Sequence, residues 1–196
     1  MDRRPAFIVS LAVICAWGNA VAVGVSGGVG VANRYFDGPD EQPNLTYSMA
    51  VEAECLHRLR VRPVGGVQYF VADDGRPDKV DWGATVQVVT AYGGVRFKLS
   101  DSEAPRPIDF EVGPAIVFLH FAESRFRLHS DDYVLSGFMC GLGARHRVSE
   151  RLDFEFAVRA IFSRGFAYPK DNASYGGRQK GVHQVTALVG MSFGNR

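Results

Sequence analysis

The sequence predicts an all-β chain: an eight-stranded antiparallel up-and-down transmembrane β-barrel, preceded by a signal peptide. Three observations predict it. Apolar residues recur with period two along most of the chain and almost nowhere with the spacing of a helix face. The alternating runs exceed the five or six residues usual in soluble sheets and reach the roughly 9 to 11 that a tilted strand needs to cross hydrocarbon. A leader-like segment stands in front of them.

The leader has three parts. Arg3 and Arg4 give a basic start, Ala6 to Trp17 is almost wholly apolar, and Ala20-Val21-Ala22 offers small residues where a signal peptidase needs them. Cleavage is expected after Ala22, so residues 1–22 are the signal peptide and 23–196 the barrel domain. Removing Asp2, Arg3 and Arg4 takes the 22 basic and 21 acidic residues to 20 of each. A balanced chain lacks the cationic excess of a nucleic-acid binder. No apolar run reaches the 18 or so residues of a spanning helix.

The strands follow in order. The run 23–36 is rich in glycine, with Gly24, Gly28 and Gly30 beside the polar face. Its Gly24–Gly30 stretch lacks the strand-then-helix setting of a phosphate loop. In 46–58, Met49, Val51, Ala53 and Cys55 share one face, and Glu52 and Glu54 the other. The run 61–72 carries Arg62, Gly66 and Gln68 on its polar side. In 82–99, Trp82, Ala84, Val86, Val88, Thr90 and Tyr92 alternate with Gly83, Thr85, Gln87, Val89, Ala91 and Gly93. In 107–122, Ile108, Phe110, Val112, Pro114, Ile116 and Phe118 oppose Asp109 and Glu111. In 132–147, Phe138, Cys140, Leu142 and Ala144 oppose Arg145 and Arg147. In 152–164, Leu152, Phe154, Phe156, Val158, Ala160 and Phe162 oppose Asp153, Glu155, Ala157, Arg159 and Ser163. In 181–194, Val185, Ala187, Val189, Met191 and Phe193 oppose Gln184, Thr186, Leu188, Gly190 and Ser192.

Connections near 59–60, 100–106 and 148–151 read as short turns. Those near 37–45, 73–81, 123–131 and 165–180 read as longer polar loops, which puts both termini at the turn end. Asn44-Leu-Thr46 and Asn172-Ala-Ser174 fit a glycosylation pattern and here merely mark loops.

Facing decides the class. Gly66, Gly113, Gly141 and Gly143 lie on the polar face, where glycine weakens an exposed strand but makes room for long side chains in a narrow lumen. Aromatics gather at strand ends, and Tyr35, Tyr47, Tyr69, Trp82, Tyr92 and Phe193 are expected to form the interfacial girdles. The apolar face is therefore expected to meet lipid and the polar face the axis. An eight-stranded lumen is barely wider than its own side chains, and a lone buried charge costs several kcal/mol. Glu52, Glu54, Arg62, Asp109, Glu111, Arg145, Arg147, Asp153, Glu155 and Arg159 are expected to pair inside as a closed network. Of the 3 cysteines, Cys15 leaves with the leader. Cys55 and Cys140 lie on opposite walls, both toward lipid, and no disulfide is expected. No metal-ligand spacing is present, and no cofactor is expected.

On Tyr92-Gly-Gly-Val-Arg-Phe97, Phe110-Glu-Val-Gly-Pro-Ala115, Gly141-Leu-Gly-Ala-Arg-His-Arg-Val-Ser149, Arg151-Leu-Asp-Phe154 and Val189-Gly-Met-Ser-Phe193, the chain resembles a family. These are the small eight-stranded outer-membrane barrels of Gram-negative bacteria, which include the OmpA membrane domain, OmpX and the opacity proteins. The resemblance implies a bacterial outer-membrane location. It implies contact with outer-membrane lipid and lipopolysaccharide, and insertion by the barrel-assembly machinery, which reads a terminal phenylalanine. In this chain Phe193 is followed by Gly194-Asn195-Arg196.

The expected role is structural, in envelope integrity or adhesin-like surface interaction, for a monomer with an unidentified extracellular ligand and no nucleic-acid partner. Tyr168, Lys170, Tyr175 and Arg178 mark the final loop as a candidate contact surface. Two other readings remain. A lipid A-modifying enzyme would need a base beside a hydroxyl, and His120, Glu123, Ser124 and His129-Ser130-Asp131-Asp132 supply the residue types but no His-x-Ser pair. A soluble calycin-like periplasmic barrel would carry its apolar side chains inside. No enzymatic activity is expected. His57 and His146, near the turns, are expected to stand in for girdle aromatics.

Overall fold

A computed structural model describes residues 21–32, 44–55, 60–73, 84–100, 107–123, 130–167, 178–179 and 181–194. All its elements are strands: β1 (Val21–Ala32), β2 (Asn44–Cys55), β3 (Val61–Asp73), β4 (Ala84–Lys98), β5 (Ile108–Glu123), β6 (Ser130–Arg147), β7 (Leu152–Ser163), β8 (Phe166–Ala167), β9 (Arg178–Gln179) and β10 (His183–Gly194). Eight of them pair antiparallel with their sequence neighbours, and β1 closes on β10 through Ala22↔Gly194 to Ala32↔Gln184. Closure leaves this eight-stranded sheet without an edge. The pair β8–β9 is a separate two-residue ladder, Phe166↔Gln179 and Ala167↔Arg178, in the final loop.

The expected strands are all present. Residues 1–20 lie outside the described residues, and β1 begins at Val21, two residues inside the expected leader. One expectation about the connections does not hold. The turn-end connection 99–107 is longer than the loop-end connection 124–129, so antiparallel pairing rather than connection length identifies the two ends.

The outer wall is apolar. Val23 to Val31 on β1, Ile108 to Phe118 on β5, Val134 to Leu142 on β6 and Val185 to Phe193 on β10 point outward, with Val25 at 52% exposure and Leu142 at 53%. Ser136 is a polar residue within this band, and Phe138 and Phe162 stack across it at 4.9 Å. On the loop side the band ends at Gln87, His120, Asp132 and His183, and on the turn side near His146 and Arg147. From Val23 to Val31 is about 26 Å of strand, or about 20 Å of height at a tilt near 40°.

The facing of β4 corrects the sequence reading. Val86, Val88 and Thr90 are fully buried in the lumen, and Tyr92 is buried with them. Gln87, Val89, Ala91, Gly93, Val95 and Phe97 take the outward side. Tyr92 is therefore no girdle residue. Both faces of this strand are largely apolar, so alternation carried no information about which one turned outward.

Candidate functional site

The lumen holds the polar chemistry, and the strands deliver it by parity. Glu52 and Glu54 come from β2, Arg62 from β3, Tyr92 and Arg96 from β4, Asp109 and Glu111 from β5, Arg145 from β6, and Asp153, Glu155 and Arg159 from β7. Strands β1 and β10 offer glycine, serine and leucine at this level instead, leaving the width that long side chains need. Two glycines show the fit directly. A Cβ on Gly66 would stand 2.6 Å from the Tyr92 hydroxyl, and one on Gly141 would stand 2.8 Å from Glu111 Oε1.

Glu54 is one hub. Arg62 Nη1 and Arg96 Nη1 each donate to it at 2.6 Å, and Arg145 Nη2 donates as well. Arg62 also reaches Asp109 at 2.5 Å. Arg96 is the second hub, donating further to Glu52 and, at 2.6 Å, to Glu111. Arg159 donates from Nε to Glu111 at 2.7 Å, from Nη2 to Glu52 at 2.5 Å and from Nη1 to the Tyr92 hydroxyl at 2.7 Å. The Tyr92 hydroxyl in turn donates to Glu52 at 2.9 Å, and its ring lies 4.6 Å from the Arg159 guanidinium carbon. Arg145 Nε lies 2.8 Å from Glu155 Oε1, within ion-pair distance but not aligned as a hydrogen bond.

Desolvating so many charges is offset only by mutual pairing, and the guanidinium fork supplies it by contacting several carboxylates at once. A cavity of about 20 Å³ at the turn-end mouth, lined by Arg96, Asp109, Glu111, Arg145 and Glu155, has room for about one water.

Above this cluster, toward the loops, the lumen changes character. Phe70, Val86, Val88, Val117, Leu119, Leu135, Met139, Ile161 and Val182 pack together, nearly all at zero exposure. Beside them, Gln68 Nε2 donates across the lumen from β3 to β10, to Gln184 Oε1 at 3.1 Å and Thr186 Oγ1 at 3.4 Å. Gln184 Nε2 donates to Thr46 Oγ1 at 3.0 Å and Ser48 Oγ at 3.1 Å. The passage is thus filled twice, by ion pairs near the turns and by an apolar plug near the loops.

The structure brings together Glu52, Glu54, Arg62, Asp109, Glu111, Arg145, Glu155 and Arg159, and buries Asp153 in the same mouth. Arg147 is a correction: it is exposed at the turn end, opposite Asp153, because it is the last residue of β6 and stands at the rim. Arg96 and Tyr92 are the members that the sequence reading missed. Arg96 shares the parity of Tyr92, so a lipid-facing Tyr92 would have put an unpaired guanidinium in hydrocarbon. That contradiction was the available signal.

Of the expected girdle, Tyr47 (70% exposed) and Tyr69 point outward toward the loop end, and Phe193 outward near the turns. Tyr35 and Trp82 lie outside the described residues, as do Tyr168, Lys170 and Tyr175, while Arg178 sits on β9. Cys55 and Cys140 form no disulfide. His120 Nδ1 meets Asp132 Oδ1 at 2.7 Å on the outward face. Catalysis would need a hydroxyl beside this pair, and Ser124 and the Ser130 side chain lie outside the described residues.

No family model matches the chain, and no curated protein matches it in sequence. Solved structures match the fold. A major outer membrane protein from Thermus thermophilus shares 13% identity at a TM-score of 0.59, over 89% of this chain and 99% of that one. Neisserial surface protein A shares 10% identity at 0.54, over 90% and 97%. Ail, the attachment invasion locus protein of Yersinia pestis, shares 10% at 0.51, over 89% and 98%. The chain has the fold of the small eight-stranded outer-membrane barrels.

Proposed function

We propose that the chain is a bacterial outer-membrane protein with a structural, envelope-integrity or surface-interaction role, a sealed lumen and no enzymatic activity. The observation that carries this reading is the outward band: large apolar side chains stand exposed on strands around the barrel, bounded at the loop side by Gln87, His120, Asp132 and His183. A wall of that chemistry cannot face water without association. Its height of about 20 Å approaches the roughly 25 Å apolar band of barrels in this class. A soluble periplasmic barrel is disfavoured by the same residues, because large apolar side chains cover the outer wall while charged ones fill the axis near the turns.

The double filling of the lumen supports closure rather than transport, and the loops between the strands are the surface offered to an external ligand. Lipid and lipopolysaccharide are the partners along the band, with the assembly machinery acting during insertion. The test is fractionation of expressing cells, with a gel comparing boiled and unboiled samples, followed by single-channel recording. Recovery in the outer-membrane fraction as a heat-modifiable band without stable conductance is expected. Release into the soluble periplasm overturns the location, and a stable conductance of porin size overturns the sealed lumen.

A further inference from the structure

The turn end of the barrel carries a repeated arrangement that the sealed lumen does not use. Where strands meet the turns, a cation sits next to an apolar residue four times: Arg60-Val61, Lys98-Leu99, Arg147-Val148 and Arg151-Leu152. Val61 (47% exposed), Leu99 (60%) and Val148 (59%) stand well out of the wall. Val61 and Leu152 have the outward parity of their strands. Leu99 and Val148 continue the outward parity of Phe97 and His146.

Backbone hydrogen bonds fix the arrangement. The Lys98 N–H donates to the Arg60 carbonyl at 2.9 Å, the Leu99 N–H to Ile108 at 2.8 Å, and the Val148 N–H to Leu152 at 3.0 Å. All four pairs lie on one arc of the rim, from β3 through β7, because β3–β4 and β6–β7 flank β5 in the closed sheet.

The arc is positively charged. Among its described residues Glu150 is the exposed acid against Arg60, Lys98, Arg147 and Arg151, with Asp153 buried opposite Arg147 and Asp109 buried opposite Lys98. By sequence, the rest of the three turns adds Arg58 and Arg106 against Asp101 and Glu103, which leaves the excess unchanged. A cation one residue from an exposed apolar side chain, at the lower edge of a lipid-facing band, matches a phospholipid at its headgroup boundary. The apolar side chain enters the acyl region, and the long cationic stem reaches the phosphate.

We propose that this rim binds the phosphate groups of anionic phospholipid, recruiting it in preference to zwitterionic lipid from the leaflet at the turn end. The inference rests on the membrane-crossing reading. The test is the full chain refolded into vesicles of equal parts phosphatidylcholine and phosphatidylglycerol, with spin-labelled forms of each reporting lipid held at the protein surface. The expected preference for phosphatidylglycerol is roughly two- to fivefold at low salt. It should fall to near one at about 1 M salt, where screening shortens to about 3 Å.

A fourfold variant, Arg60→Gln with Lys98→Gln, Arg147→Gln and Arg151→Gln, should lose the preference. Arg164→Gln, at the loop end, should keep it. Insertion without any preference in the parent protein, or a preference unchanged in the fourfold variant, overturns the rim assignment alone. If the chain holds no lipid of either kind and shows no heat-modifiable band, the membrane reading falls and the rim assignment falls with it.

Discussion

Toward the turns the lumen is filled by four guanidinium groups interleaved with carboxylates. Toward the loops, Phe70, Val88, Val117, Leu119, Met139 and Ile161 fill it instead. The two halves share one closed wall of eight strands, yet they hold together differently. In the ionic half the four arginines are each tied to named carboxylates, so what matters is whether a charge keeps its counter-charge. In the apolar half no single partner matters, and what counts is filled volume and the absence of charge. A barrel filled by ion pairs alone could open when the pairs rearrange, whereas this lumen is also packed at a second level with apolar side chains that no rearrangement of charges reaches.

The comparison breaks most sharply where the chemistry of one half is placed in the other. Val117→Lys sets an unpartnered ammonium among apolar side chains. It is expected to abolish folding, seen as loss of the heat-modifiable band, and a folded variant of normal stability would mean that water reaches this level. Next comes Arg96→Ala, which removes a donor to Glu52, Glu54 and Glu111 together. A loss of about 3–5 kcal/mol is expected in urea unfolding of the lipid-embedded protein. A change below about 1 kcal/mol would show that the remaining arginines suffice.

Leu119→Ala opens a cavity in the other half at an expected cost of about 2–5 kcal/mol in the same assay. Single-channel recording then sharpens the contrast. Arg96→Ala should remain non-conducting, since the apolar plug persists, and a stable open level in that variant would refute the double seal. The smallest effect is expected for His120→Ala, whose exposed pair with Asp132 should contribute about 0–1 kcal/mol.

Much of this was legible in the residues. On β7, charged or small residues at Asp153, Glu155, Ala157 and Arg159 interrupt Phe154, Phe156 and Val158 at every second position, and the structure turns the first set inward and the second outward. The same holds on β2 and β10. The reading failed on β4, where Val86, Val88 and Tyr92 on one side and Val89, Val95 and Phe97 on the other are nearly equal in hydropathy. It also failed to separate the lumen into two halves, because the inward residues of β5 pass from Asp109 and Glu111 to Val117 and Leu119 along a single strand. Alternation records two faces and says nothing about change along the axis.

The residues by themselves determined eight strands, their order and an ionic inner face, because a two-residue period is written locally, by which solvent each side chain must meet. Only closure of the sheet decided which guanidinium meets which carboxylate, that Tyr92 and Arg96 turn inward, and that an apolar plug sits above them. Those outcomes depend on the stagger between strands far apart in the chain. Arg159 and Glu52, separated by 107 positions, become partners at 2.5 Å because the registers between β2 and β7 add up to one level of the barrel.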